Sequence, residues 1–285
     1  MTEVGVLVHG FPEGDSLPSI AREIEQAGFD SIWSGDHILS TVDGLVACAA
    51  LGAATERIRV GTAVYLPHLR PVLAVARMLA TVDASGLRER FTFGVGVGGD
   101  VPAEFELLDV NIRRRGALLD AALDGLRHLF EADGAFVDHG PFPPVWTGGR
   151  SIPALRRGLR AGCGFAPYLV TVDQFSALRS EIPASAEGQG FELAVNLMVA
   201  VDTRTERGVD AAQRRRPYGL APDLVAKHVI SGSPSECVAR IQEYVAAGAR
   251  HVLLNLAVEA DGKHGQVELI AQEVLPSLQG GANVE

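Results

Sequence analysis

The sequence predicts a (β/α)8 TIM barrel, and three observations carry that prediction. Short apolar runs alternate with longer amphipathic stretches through eight strand-helix pairs, the pattern of parallel strands buried on both faces. No long structureless interval interrupts most of the series, whereas an open doubly wound sheet commonly stops at about five or six strands. The 285 residues also suit a barrel, since barrels of about 250 residues fold as one unit. Residues 1–279 are therefore expected to form one catalytic domain, and 280–285 a flexible tail.

Taken in order, Val4 to Val8 reads as the first strand. Ser16 to Ala27 follows as a helix, ended by Gly28, whose missing Cβ permits a left-handed cap. Ser31 to Ser34 is the second strand and Val42 to Thr55 a helix of small residues. Ile58 to Thr62 is the third strand, with a helix from Val72 to Ser85 begun after Pro71. Phe91 to Val95 makes the fourth strand and Arg114 to Glu131 its helix. The second half continues with strand Val145 to Thr147, helix Pro153 to Ala161, strand Gly164 to Ala166 and helix Val172 to Ser180. Leu193 to Val201 is the seventh strand, followed after a delay by helix Pro234 to Ala247, capped by Gly248. His251 to Leu256 is the eighth, closed by helix Gln266 to Leu278. Two places break the rhythm: the Gly- and Pro-rich Phe136 to Pro144, and the excursion Thr203 to Ser231 between strand seven and its helix. The excursion reads equally as a lid or as a surface detour.

Composition narrows the class. A hydrophobic share of 47% with 21% charged residues suits a large globular core. The formal charge of -10 opposes binding to phosphate backbones, and no basic cluster is interleaved with aromatics, so nucleic acid is not an expected partner. Cys48, Cys163 and Cys237 are odd in number and far apart, which offers neither a disulfide framework nor a CxxC metal site. No basic, apolar leader and no run of about 18 apolar residues occurs, so a cytoplasmic protein without a membrane segment is expected. The histidines are dispersed without an HxxxH pair, and no GxSxG elbow is present. Metal-dependent and serine-hydrolase readings lose their basis.

In a barrel the residues just after each strand meet at one face and build the site. Strand two delivers Gly35, Asp36 and His37. An imidazole titrates near neutrality and can give or take a proton, and a neighbouring carboxylate can orient it, so His37 and Asp36 are the candidate catalytic pair. Strand five delivers Thr147, Gly148, Gly149, Arg150 and Ser151 directly before a helix, where free N–H groups, the helix dipole and a guanidinium attract a phosphate. Gly94, Gly96, Gly98 and Gly99 alternate with valines along strand four and leave a surface nearly free of side chains, against which a flat ring could lie. Glycine for close barrel packing would explain the same residues.

These segments together resemble the bacterial luciferase-like superfamily, and within it the group that depends on the deazaflavin coenzyme F420. The resemblance spans nearly the whole chain and rests on GFDSIWSGDHIL (28–39), ATERIRVGTAV (54–64), RFTFGVGVGG (90–99), PPVWTGGRSIPALRRGLRAG (143–162) and SGSPSECVARIQEYVAAGARHVLLN (231–255). It implies that Asp36 and His37 lie beside a reactive ring. It also implies a non-proline cis peptide or bulge around Ala63 and Val64 that supports one ring face, and a phosphate-holding turn at Gly148, Gly149 and Arg150. A homodimer and a separate flavin or F420 reductase are implied as well. Two departures stand out. Gly162, Cys163, Gly164 and Phe165 replace the GDGW of many relatives, and Gly98, Gly99 and Asp100 occupy the loop where F420-dependent glucose-6-phosphate dehydrogenases carry a glutamate. The second argues against transferring the sugar-phosphate activity.

The expected function is an oxidoreductase that moves hydride between F420 and a small organic substrate, with His37, oriented by Asp36, handling the proton. Monooxygenases that use reduced FMN often carry a QAGxS turn where this chain reads VWTGGRS, which favours the deazaflavin. Two alternatives stay open: an FMN-dependent monooxygenase, and a barrel that binds a flavin or another ligand without catalysis.

Overall fold

The computed structural model describes residues 2–39, 42–131 and 140–280. Among the described residues nine strands run in parallel: β1 (Glu3–Leu7), β2 (Ser31–Ser34), β3 (Arg59–Thr62), β4 (Phe91–Val95), β5 (Val145–Gly148), β6 (Gly164–Ala166), β7 (Glu192–Val201), β8 (Val229–Gly232) and β9 (His251–Leu256). Adjacent strands follow the order β6-β5-β4-β3-β2-β1-β9-β7, and β6 pairs in turn with β7, so eight strands close into a barrel with helices around it. The predicted fold class is the observed one.

The helices begin and end where local chemistry lets them. Ser16 caps Leu17–Gln26 by accepting from the Ser19 N–H, and Ile20, Ala21 and Ile24 bury one face of that helix. The chain then turns through Gly28 at φ +88°, a conformation costly to any residue with a Cβ, and enters β2. Asp43 caps Gly44–Ala53 by accepting from the Leu45 and Val46 N–H groups. Ser233 and Glu236 form a reciprocal capping box at the start of Pro234–Ala246.

Several elements differ from the sequence reading. The excursion at 203–231 is ordered as helix Thr205–Arg215, helix Pro222–His228 and most of β8. β8 has a structural reason: β7 is ten residues long, and its last four, Met198 to Val201, pair with Val229 to Gly232, which satisfies backbone groups beyond the ring. A short helix at Pro102–Leu107, absent from the prediction, follows β4. The final predicted helix is two, Lys263–Glu273 and Leu275–Gln279, broken where Pro276 can offer no N–H to the preceding turn. Of the predicted irregular stretch Phe136 to Pro144, positions 136–139 lie outside the described residues, as do 281–285 of the predicted tail.

Two indoles fill the lower barrel. Trp33 on β2 and Trp146 on β5 stack with centroids 5.1 Å apart and planes 25° from parallel, and His251 meets both edge-on. Trp33 Nε1 donates to Ser31 Oγ at 2.7 Å, and that hydroxyl lies 2.6 Å from His251 Nε2. Beneath them Glu3, Arg59, Glu192 and His251, the first residues of β1, β3, β7 and β9, are joined by ion pairs. Glu3 lies 3.1 Å from His251 Nδ1, and Arg59 reaches Glu192 at 2.9 Å and Glu3 at 3.6 Å. The hydrogen bond to His251 holds the Glu3 carboxyl below its ordinary value against the opposing effect of burial. The indoles fit because the strands beside them lack side chains at Gly61 and Gly164, where a Cβ would sit 2.4 Å from Trp33 Cζ3 and 2.5 Å from Trp146 Cδ1.

Substitution Gly61→Ala is expected to overpack this stack and cost about 1–3 kcal/mol of stability. Urea unfolding followed by tryptophan fluorescence checks it, and an unchanged midpoint would refute the packing argument.

Candidate active site

A cleft opens directly above the indoles, at the C-terminal ends of the strands. It encloses about 1080 Å³, part of it open to solvent, and Trp33 and Trp146 line its floor. Of the residues singled out in the sequence, Asp36, His37, Ala63, Val64, Gly96, Gly98, Thr147, Gly148 and Gly149 all line it. Arg150 does not. It is exposed at the rim, with its guanidinium 5.2 Å from the centroid of the Tyr168 ring, which does line the cleft. Tyr168 in turn donates its hydroxyl proton to Asp100 at 2.8 Å.

One wall is shaped by missing side chains. The Ala63–Val64 peptide bond is cis, one of the two forms the resemblance implied. A Cβ at Gly96 would lie 2.4 Å from Val64 Cγ2, and one at Gly148 would lie 2.6 Å from Val64 Cγ1, so Val64 occupies space that both positions leave free. After β5 the chain passes through Gly149 at φ +128° and starts helix Ile152–Ala161, whose N-cap Ser151 makes no side-chain cap bond. The first N–H groups of that helix therefore lack a side-chain acceptor from the cap. Thr147 turns its hydroxyl away from the turn and donates to the Ala154 carbonyl at 3.0 Å.

His37 and Asp36 have different partners. The carboxylate beside His37 is Glu104, from the short helix after β4. His37 Nδ1 lies 3.1 Å from Oε1 and 3.3 Å from Oε2 of a glutamate that is fully buried. Against an ionised carboxylate, which can only accept, Nδ1 is the protonated nitrogen and Nε2 the one left to exchange a proton. The Leu39 N–H also reaches Glu104, at 3.4 Å. The expectation that Asp36 orients His37 is thus corrected. Asp36 forms a two-pronged ion pair with Arg70, 2.8 Å at each contact, and accepts from the Leu66 and Gly44 N–H groups. Arg70 continues to Asp43 at 3.0 Å and lies over the Tyr65 ring, 4.4 Å from its centroid. Asp36 therefore ties the end of β2 to the segment after β3 and to the helix that starts at Gly44.

The sequence reading missed Glu104, which lies behind the cleft wall, and missed Asn196, Tyr218 and Asn255, which line the cleft; His9, the residue just after strand one, lines it as its position there requires. The loop at 98–100 holds no glutamate, but the chain supplies one four positions past Asp100. The available signal was Pro102 opening a helical turn in which Phe105 needs a core contact, which carries its neighbour Glu104 inward. Among the described residues no group of three or more His, Cys, Asp or Glu could hold a metal, and no helix is long and apolar enough to cross a membrane.

The loop after β1 is fastened by two consecutive residues. Lys263 Nζ donates to the His9 carbonyl, while His264 lies between two carboxylates, 2.6 Å from Glu23 and 2.7 Å from Asp15. Phe11 packs edge-on to the His264 ring at 5.3 Å. The bond to Asp15 raises the affinity of His264 for its proton; burial opposes it, and the bond to Glu23 and the two carboxylate charges leave the net shift upward.

Comparison with known proteins gives a consistent picture. A family model described as luciferase-like monooxygenase matches residues 3–219. The F420-dependent glucose-6-phosphate dehydrogenase of Beutenbergia cavernae is 27% identical, with 90% of each chain covered. An F420-dependent secondary alcohol dehydrogenase, solved with an F420-acetone adduct, superposes with a TM-score of 0.80 at 18% identity, covering 97% of this chain and 99% of that one. The oxygenating constituent of a 3,6-diketocamphane monooxygenase from Pseudomonas putida, solved with FMN, gives 0.74 at 17% identity over 96% and 98%.

Two outcomes are expected. Asp36→Ala, which takes the fully buried partner from half-buried Arg70 and leaves it Asp43 alone, should cost about 2–4 kcal/mol of unfolding free energy; a loss below about 1 kcal/mol would mean the latch is not structural. His264 binds its proton more tightly folded than unfolded, so its stabilisation is complete below the unfolded value of about 6.5 and fades as pH climbs through the raised folded value. The difference in melting temperature between wild type and His264→Gln should accordingly shrink from pH 5 toward pH 9. A constant difference would contradict the assignment.

Proposed function

The chain belongs to the luciferase-like monooxygenase family, and from that membership we propose that it is an oxidoreductase that exchanges hydride between the deazaflavin coenzyme F420 and a small organic substrate, with His37 as the proton carrier. The observation that carries the reading is His37 held by buried Glu104 on the wall of a cleft whose other side is a glycine turn leading into a helix N-terminus.

The residues present suit such a cofactor. The cleft is open at the strand ends, and positions 96, 98, 148 and 149 offer no side chain to obstruct a tricyclic ring. Ala63, Val64, Gly96 and Gly98 would support the ring. Gly148, Gly149 and Arg150 would hold a phosphate through free N–H groups, the helix dipole and a guanidinium at the rim. When bound, a deazaflavin supplies two-electron hydride chemistry.

The chain's own part is to position and to move the proton. Glu104 fixes the His37 ring so that Nε2 is the exchanging nitrogen, and the carboxylate stabilises the imidazolium whenever the ring is protonated. The Asp36–Arg70 latch keeps the end of β2 in place, so the imidazole does not wander as it changes charge. The indole floor excludes water from below. The F420-dependent relative, which aligns over 90% of this chain, supports the deazaflavin over FMN, as does the VWTGGRS turn. The family's monooxygenase description keeps FMN as the second reading.

A titration of the purified protein with F420, FMN and FAD, read by melting temperature, tests the proposal. F420 at about 100 times its Kd is expected to add about 2.7 kcal/mol of stability. Stabilisation by FMN alone would transfer the chain to the monooxygenase reading, and none by any of the three would overturn both. His37→Ala should bind the same cofactor with turnover reduced about 10²–10⁴-fold. Unchanged turnover would remove His37 from the proton path.

A further inference from the structure

A parallel strand buried on both faces should read as an unbroken apolar run. β7 reads ELAVNLMVAV and β9 reads HVLLNL, each with an asparagine inside the run. Side chains two apart share a face, so Asn196 follows Glu192 and Ala194 up the inside of the barrel, and Asn255 follows His251 and Leu253. The first of each set belongs to the ion-paired end, the second packs with the indoles, and the third lines the cleft. Asn196 is level with Leu253, and Asn255 with Met198. The two asparagines therefore lie on the diagonal of one sheet face, about 7–8 Å apart.

The fold makes little use of these carboxamides. Thr62 and Thr147 also line the cleft from strands, and both donate to backbone carbonyls, at 2.7 and 3.0 Å. Among the described residues nothing hydrogen-bonds the Asn196 carboxamide, and Asn255 donates only to the Tyr218 hydroxyl of the excursion. An unpartnered carboxamide in an apolar strand is costly, and an aliphatic residue would serve the barrel better. Position shows what the pair serves instead. In the ring of eight, β9 stands opposite β4 and β7 opposite β3, so Asn255 and Asn196 face the wall of Gly96 and Val64 across the cleft. His9 after β1 and His37 after β2 continue the same polar arc. Among the described residues that line the cleft there is no lysine or arginine. Its two carboxylates are engaged, Asp36 with Arg70 and the exposed Asp100 with Tyr168.

We propose that Asn196 and Asn255 form a substrate subsite for a neutral group that both gives and accepts hydrogen bonds, a hydroxyl or a carboxamide, held across the cleft from the wall that supports the ring. The proposal rests on the assignment of the cleft to a cofactor and a substrate, and it adds the class of substrate. A carboxamide offers two N–H donors and an acceptor oxygen, so a pair of them complements such a group in both senses, whereas an anion can only accept. A carboxylate or phosphate docked at the pair would leave water without meeting a cation. The pair anchors one end of the molecule. The other end extends toward His37, since β2 and β9 are two strand spacings, about 10 Å, apart.

The test sets neutral probes against charged ones of matching skeleton: acetamide, benzamide and benzyl alcohol against acetate, benzoate and benzylamine. Each is titrated into F420-saturated and into cofactor-free protein and read by melting temperature. Saturable stabilisation by at least one neutral probe is expected, with its charged counterpart bound about tenfold or more weaker. Asn196→Ala and Asn255→Ala shorten side chains that face an open cleft, so both should fold with an unchanged melting temperature. Each should weaken the neutral probe about tenfold and leave the affinity for F420 as it was. No saturable binding of a neutral probe, tighter binding of a charged one, or binding indifferent to both substitutions overturns the proposal. So does lost F420 affinity in the variants, because the carboxamides would then hold the cofactor, and so does failure of the variants to fold, which would make the pair structural. Asparagine-dependent probe binding in a chain that binds neither F420 nor FMN leaves the subsite standing while the cofactor reading falls. F420 binding without such probe binding does the reverse.

Discussion

The stack of Trp33 on Trp146 sets the depth of everything above it. An eight-stranded barrel has an interior that side chains fill in layers, and where the filling stops a site begins. Two near-parallel indoles take up the lower interior and give it an aromatic floor. They are admitted because β3 and β6 withdraw their side chains at Gly61 and Gly164, and they are kept in register by the Ser31 hydroxyl and the His251 ring. The charged ring of Glu3, Arg59, Glu192 and His251 then closes the end below. A cleft above a rigid aromatic floor can hold a planar ring without collapsing when the ring is absent.

From that floor upward, each strand end has a distinct task, and three carboxylates show how environment divides them. Asp36 is locked to Arg70 and two backbone N–H groups, so its charge is spent on joining the ends of β2 and β3. Glu104 faces one imidazole and can govern its tautomer. Asp100 accepts from Tyr168, whose ring lies beneath the Arg150 guanidinium, so it acts on the rim of the cleft beside the turn after β5. The first supports the second, because a loop that drifted would carry His37 away from Glu104.

Much of this was legible in the sequence because the barrel ties chain position to spatial position. Once strands were read from their apolar runs, the residues after each had to meet at one face, and nine of the ten predicted site residues line the cleft. What failed was partner choice. Adjacent residues on an extended chain point to opposite sides, so Asp36 next to His37 in sequence was poor evidence for contact between them. The actual partner lies 67 positions away on a helix of six residues, too short to leave a periodic signal. β8 escaped for a related reason: four residues carry little pattern, and their strand conformation is imposed by the overhanging end of β7. Tyr218 reaches the cleft only through the fold of the excursion, which no local propensity encodes.

The β1 loop connects these themes. It is held from the outside by a pair of consecutive residues, Lys263 facing inward to the His9 carbonyl and His264 outward to Asp15 and Glu23. Helical geometry turns neighbouring side chains by about 100°, so a single turn of helix can grip the loop and also place a charge behind the cleft. The outward grip depends on the protonation of an imidazole, and the inward one on an ammonium made easier to deprotonate by burial and by Arg215. Both weaken as pH rises, and both act on the loop that carries His9. The same helix therefore ties the hold on the loop after β1, and with it the placing of His9 in the cleft, to the protonation of two of its own side chains.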